Sequence, residues 1–204
     1  MRIFIDADAF PNAIKDVLIR ASVRLNVPLC FVANKPVRVG GSANISVIQV
    51  PAGFDVADDH IAEHTQPGDL VITTDIPLAD RVITKRAFAL DPRGKLYTQE
   101  NIKDRLALRG LFKELRDDGM ITGGPATFGK IDRQTFANRL DRFLIRRLKI
   151  EALEEEKQRL LETLNSPLLY VNRKANEINR ANDWLKALED ELESLAAKFS
   201  GETG

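Results

Sequence analysis

Cysteine is almost missing from this chain: Cys30 is the only one in 204 residues. That excludes an intramolecular disulfide and a cysteine-rich zinc site, and its place in the apolar run Pro28 to Ala33 reads as a small core side chain. Histidine is nearly as scarce. His60 and His64 stand four apart and share a helix face, but no third histidine or cysteine completes a zinc set. Aromatics make up 6% of the chain, and no apolar run approaches the roughly 20 residues that span a bilayer, so no membrane segment is expected. Residues Met1 to Ala9 enter a strand-like pattern at once, without the basic, apolar and small-residue succession of an export signal. The expected compartment is therefore the cytoplasm.

Neither sign of charge is in excess, with 30 Lys and Arg against 30 Asp and Glu. The balance conceals a split. Residues 150–204 hold 7 Lys and Arg against 12 Asp and Glu, which leaves 23 against 18 for residues 1–149. A mildly basic body permits a polyanionic partner, although this charge is too small to establish one.

What is present is an alternation of patterns. Arg2 to Ile5 is a short apolar run broken by Asp6-Ala-Asp-Ala-Phe-Pro11. Ile14, Val17, Leu18, Ala21 and Leu25 then recur at helical spacing. Strands are expected at Pro28 to Ala33, Ile45 to Val50, Leu70 to Thr73 and, as the last and shortest, Phe88 to Leu90. Helices are expected at Val56 to Glu63 and from Pro77 to Arg86, where proline suits the first turn. An Asp91-Pro92-Arg93-Gly94 turn follows, then a helix over Ile102 to Leu115 and a glycine-rich loop from Gly119 to Gly129. This order predicts an α/β domain over residues 1–149, its parallel sheet covered by helices on both faces.

From residue 150 the pattern changes. Ile150, Leu153, Lys157, Leu160 and Leu164 step by three and four, and a second series runs from Ile178 to Phe199 after Asn165-Ser166-Pro167. Two antiparallel helices, about Asp132 to Leu164 and Pro167 to Phe199, predict a helical hairpin of coiled-coil character over residues 150–204. Its narrow apolar seam leaves surface around Trp184, Leu188 and Leu192 for the body or a second copy of the chain, and homo-oligomerisation is the expected use.

The acids carry the chemistry. Asp6 and Asp8 leave the first strand two residues apart, so on an extended backbone they face the same side at about 7 Å. Asp75 leaves a second buried strand, Asp80 follows it, and Asp55, Asp58 and Asp59 crowd the start of a helix. Ligands of open parallel sheets gather beyond the carboxyl ends of the strands. Carboxylates this dense raise one another's pKa unless a hard cation such as Mg²⁺ or Mn²⁺ neutralises them. Taken singly, Asp8, Asp55 and Asp75 also suit helix N-caps, and Asp80 suits a solvated helix position. Capping accounts for single acids rather than for the group, so a metal site of Asp6, Asp8, Asp55, Asp58, Asp75 and Asp80 is expected.

Ile5-Asp6-Ala7-Asp8-Ala9, Val32-Ala33-Asn34, Val50-Pro51-Ala52-Gly53-Phe54-Asp55-Val56-Ala57-Asp58, Leu70 to Ala79, Asp91-Pro92-Arg93-Gly94 and Thr122-Gly123-Gly124-Pro125 together resemble the YaiI/YqxD family over about residues 1–147. The family commonly carries cysteine where this chain has Phe10, and its usual pattern does not include the tail. The resemblance implies a PIN-like, Rossmann-like sheet with an acidic pocket of the kind that holds Mg²⁺ or Mn²⁺ for phosphodiester hydrolysis. It places Asp6 and Asp75 at strand ends, with Asp55 or Asp58 supplied by the middle helix. On this reading Asp6, Asp58 and Asp75 are catalytic. Asn34, Lys35, Arg38, Gly123 and Gly124 are candidates for holding nucleic acid, RNA above all. The alternative expectation is a catalytically silent binding or regulatory protein with a helical assembly tail. A haloacid-dehalogenase-type phosphatase, suggested by Asp6-x-Asp8 and Thr73-Thr74, fails on order, because Asp58-Asp59 precede the threonines.

Overall fold

The computed structural model describes residues 1–8, 10–118, 120, 127–164 and 175–201. The chain divides into two units, Met1–Asp141 and Arg142–Gly204. In the first, six strands form one sheet: β1 Ile3–Asp6, β2 Leu29–Ala33, β3 Ile45–Gln49, β4 Leu70–Ile72, β5 Phe88–Leu90 and β6 Leu96–Tyr97. Their order across the sheet is β3-β2-β1-β4-β5-β6. Every pairing from β3 to β5 is parallel. The last, β5 with β6, is antiparallel.

The fully buried strands β1, β2 and β4 are the near-continuous apolar runs that a parallel sheet covered on both faces requires. Pleating sends alternate side chains to opposite faces. Phe4, Cys30, Val32, Val71 and Ala89 form one cluster with Ala57, Ile61 and Ala62 of α2 (Val56–His64), Leu78, Ala79, Val82 and Ile83 of α3 (Ile76–Thr84), and Ile102 of α4 (Gln99–Asp117). Ile3, Ile5, Leu29, Phe31, Leu70 and Ile72 alternate with these and are likewise buried. So are Ile14 and Leu18, of a 3-10 turn at Asn12–Ile14 and of α1 (Lys15–Leu25). Phe136 and Leu140 of α5 (Lys130–Leu164) are buried too.

The sheet differs from expectation at one edge, because Phe88–Leu90 is not its last strand. Asp91-Pro92-Arg93-Gly94 is a hairpin turn: Gly94 takes φ +86, and Asp91 N–H donates to Lys95 O across 2.8 Å. It sends the chain back as β6. A two-residue strand carries no periodicity to read, and antiparallel edges on parallel sheets are common. The close approach of α5 adds a second demand on Gly94, since a Cβ there would lie 3.1 Å from Phe136 N.

In the second unit, the latter part of α5 runs antiparallel to α6 (Ala175–Gly201). Arg146 Nη1 donates to Lys198 O (3.0 Å), Lys149 pairs with Glu191 (2.5 Å) and Lys157 with Glu189 (2.7 Å), the partners falling in number as the helix advances. The Asn165-Ser166-Pro167 break lies outside the described residues. Among the described residues no helix is long and apolar enough to cross a membrane.

Candidate active site

Chain order places β1, then β2 and β3 to one side of it, and the crossover to β4 returns to the other side. The reversal falls between β1 and β4, where doubly wound sheets open a crevice beyond the strand ends. Asp6 ends β1, and Thr73, Thr74 and Asp75 follow β4 at that same point.

One hydroxyl ties the two exits together. Thr73 Oγ1–H donates to Asp6 Oδ2 (3.0 Å), and Asp75 N–H donates to Thr73 Oγ1 (2.9 Å). Asp6 is 5% exposed. Asp75 is the N-cap of α3, its Oδ2 accepting from Leu78 N–H (3.1 Å) ahead of Pro77 in the first turn. Its Oδ1 meets Arg109 Nη2 of α4 at 3.1 Å.

The third acid comes from α2. Asp58 lies in its first turn and is half-buried. Burial pushes its pKa up from the ordinary 3.8 to about 6; the negative charges of Asp6, Asp75 and Asp55 add to the rise, and Arg81 opposes it. Each charge felt at Asp58 marks a neighbour, so Asp6, Asp55, Asp58 and Asp75 share one field. Asp55 holds the N-cap position of α2 with φ 58, in the left-handed region, and its side chain makes no capping hydrogen bond. Arg81 Nη2 of α3 pairs with Asp59 Oδ1 at 2.8 Å.

Several of the other expected site residues have partners of their own. Both oxygens of Asp8 face Asn34 N–H, at 3.2 and 3.1 Å. Asp80 pairs with Lys103 Nζ at 2.8 Å. Asn34, Lys35 and Arg38 follow β2, with the latter two exposed, and Lys15 Nζ donates to Arg38 O. Gly123 and Gly124 lie outside the described residues. The reading from sequence passed over Thr73, Arg81 and Arg109. Thr73 sits in the Leu70 to Asp75 motif, so a hydroxyl leaving a buried strand was a usable signal; nothing local in α4 ties Arg109 to Asp75.

As a donor set the crevice is all carboxylate oxygen, the kind that suits Mg²⁺ or Mn²⁺. The negative charges of Asp6, Asp75 and Asp55 add to the burial that raises the pKa of Asp58, and a divalent cation would oppose that rise. In the present side-chain positions Asp75 is engaged on both oxygens. Among the described residues no three His, Cys, Asp or Glu side chains are arranged to hold a metal ion.

A family described as "Uncharacterized BCR, YaiI/YqxD family" matches residues 4–146. A UPF0178 protein of Citrifermentans bemidjiense is 54% identical over 149 residues, 73% of this chain and 97% of the relative. A UPF0178 protein of Geobacter sulfurreducens is 55% identical over 150 residues, 73% of this chain and 99% of its own length. One from Acidithiobacillus ferrooxidans is 55% identical over 146 residues, 72% and 99% respectively. These relatives are matched over nearly their whole length, whereas this chain of 204 residues continues past the match that ends at residue 146, so the acidic tail is additional to them. No solved structure matches the chain.

Proposed function

The chain belongs to the YaiI/YqxD family, and from that premise we propose that it is a metal-dependent nuclease, hydrolysing phosphodiester bonds of nucleic acid and of RNA first. The observation that carries the reading is the crowding of Asp6, Asp55 and Asp75 around Asp58 at the switch point of the sheet. Repulsion of this kind is a cost to the fold unless a function uses it.

Bound Mg²⁺ or Mn²⁺ would supply positive charge and Lewis-acid polarisation of a phosphoryl oxygen. Asp6, Asp58 and Asp75 would hold it, with Asp55 at the rim. Thr73, by donating to Asp6 Oδ2, orients the Asp6 carboxylate. Asp58 must shed its proton to take part, so cation affinity rises with pH through about 6. Lys35 and Arg38, exposed beyond β2, would draw the flanking phosphates. Asp8 and Asp80, engaged by Asn34 and Lys103, stand outside the proposed ligand set.

A second reading, a catalytically silent nucleic-acid-binding or regulatory protein, is favoured by one observation: Arg109 sits on the Asp75 oxygen that a cation would need. Incubation of labelled RNA and DNA with the full chain in Mn²⁺ separates the two. The nuclease reading expects cleavage that Asp6→Asn and Asp75→Asn abolish while far-ultraviolet circular dichroism is unchanged. Equal cleavage by wild type and both variants points to a contaminant, and no cleavage across the panel favours the silent protein.

A further inference from the structure

Phe54 is 93% exposed, its ring standing almost wholly in water. Single exposed apolar side chains are ordinary; what sets Phe54 apart is how and where the backbone holds it. It belongs to the connection from β3 to α2, between Gly53 and Asp55. A Cβ at Gly53 would lie 2.7 Å from Val56 Cγ2, so this turn is folded tightly onto the first turn of α2. Asp55 takes φ 58, in the left-handed region that a non-glycine residue rarely adopts. The turn thus puts on adjacent residues an outward aromatic ring and a carboxylate of the acidic crevice.

The carboxyl edge of the sheet has an order of its own. Phe54 lies in the connection that leaves β3 and enters α2 beside Asp55, Lys35 and Arg38 follow β2, Asp6 ends β1 and Asp75 follows β4, and β3, β2, β1 and β4 are neighbours in that sequence. The carboxyl end of the sheet therefore carries an aromatic ring, two cations and the acids. The basic stretch is tied down where Lys15 Nζ donates to Arg38 O.

We propose that Phe54 is a stacking platform for a base of single-stranded RNA, holding the strand across Lys35 and Arg38 so that a phosphate enters the acidic crevice. The inference rests on the nuclease reading and adds to it the class of substrate. In a duplex each base is stacked on both faces, whereas an unpaired base has a free face for a phenyl ring. A phenyl ring offers no hydrogen bonds, so the grip is tolerant of sequence.

The test is fluorescence anisotropy of a short labelled single-stranded RNA with the full chain, Ca²⁺ replacing Mn²⁺ to suppress turnover, for wild type, Phe54→Ala and Phe54→Trp. The expected result is about 5- to 150-fold weaker binding for Phe54→Ala, recovery by Phe54→Trp, and no change in the weaker binding of the matching duplex. An RNA lacking one base at the stacked position should lose affinity for wild type and lose little more for Phe54→Ala. Unchanged single-strand binding by Phe54→Ala, or an equal loss on duplex, overturns the proposal. If wild type cleaves RNA in Mn²⁺ while Phe54→Ala binds and cleaves as well, the platform alone falls. If wild type neither binds nor cleaves, the nuclease reading falls with it.

Discussion

Replacing Asp58 by asparagine removes a charge that three other carboxylates oppose, and the consequence for stability has a definite sign. The folded protein holds the Asp58 proton up to about pH 6, against an ordinary 3.8, through burial first and then Asp6, Asp75 and Asp55. A folded-state pKa above the unfolded one means that stability is intact below about 3.8, falls as pH rises through the window, and is lowest above 6. At 1.36 kcal/mol per unit the full interval corresponds to ~3 kcal/mol. Solvent screening at this half-buried site reduces that to about 1–2 kcal/mol. Asp58→Asn does not bear this cost. Urea unfolding from pH 3.5 to 8 should show the two proteins equally stable near pH 3.5, with the variant ahead by about 1–2 kcal/mol at pH 7.5. Added Mn²⁺ should reverse the ranking, since ligation adds ~2.7 kcal/mol at a hundredfold excess over Kd to whichever protein retains the site. A difference that is flat with pH, or a variant less stable at pH 7.5 without metal, would refute the crowding. No response of wild type to Mn²⁺ would refute the use proposed for it.

Thr73→Val removes the hydroxyl joining Asp6 to the Asp75 backbone; a loss of about 1–3 kcal/mol is expected from the unpaired buried groups, read by urea denaturation. Arg109→Ala frees Asp75 Oδ1; because the pair is partly exposed to solvent, stability should move by less than about 1 kcal/mol. Calorimetry should show tighter Mn²⁺ binding, and weaker binding would mean that Arg109 supports the site rather than occupying it. Light scattering should find the full chain self-associated and a chain ending at Lys149 monomeric, and two monomers would end the idea of tail-driven assembly.

Much of the fold was legible because burial leaves a mark in sequence. Leu70 to Ile72 and Leu29 to Ala33 are apolar on both faces and short, which only a covered parallel strand explains. β6 was not legible, since Leu96–Tyr97 forms an edge by grace of the Gly94 turn. At the crevice, strand ends announced Asp6 and Asp75, while the left-handed backbone of Asp55 defied its reading as an ordinary cap. The hold of Arg109 on Asp75 depends on how α3 and α4 pack, which no local pattern encodes.

The strand order also bears on how the crevice comes into being as the chain emerges and folds. β1 is made first yet lies between β2 and β4, so it lacks one flank until Leu70–Ile72 exists. The hydrogen bond from Thr73 to Asp6 spans 67 residues, a closure that a folding chain makes late. β1, β2 and α1 can collapse on apolar contacts alone while Asp6 is still hydrated. The carboxylates are then driven together last, by a core already formed, and the step that builds the site is the step the rest of the domain must push uphill.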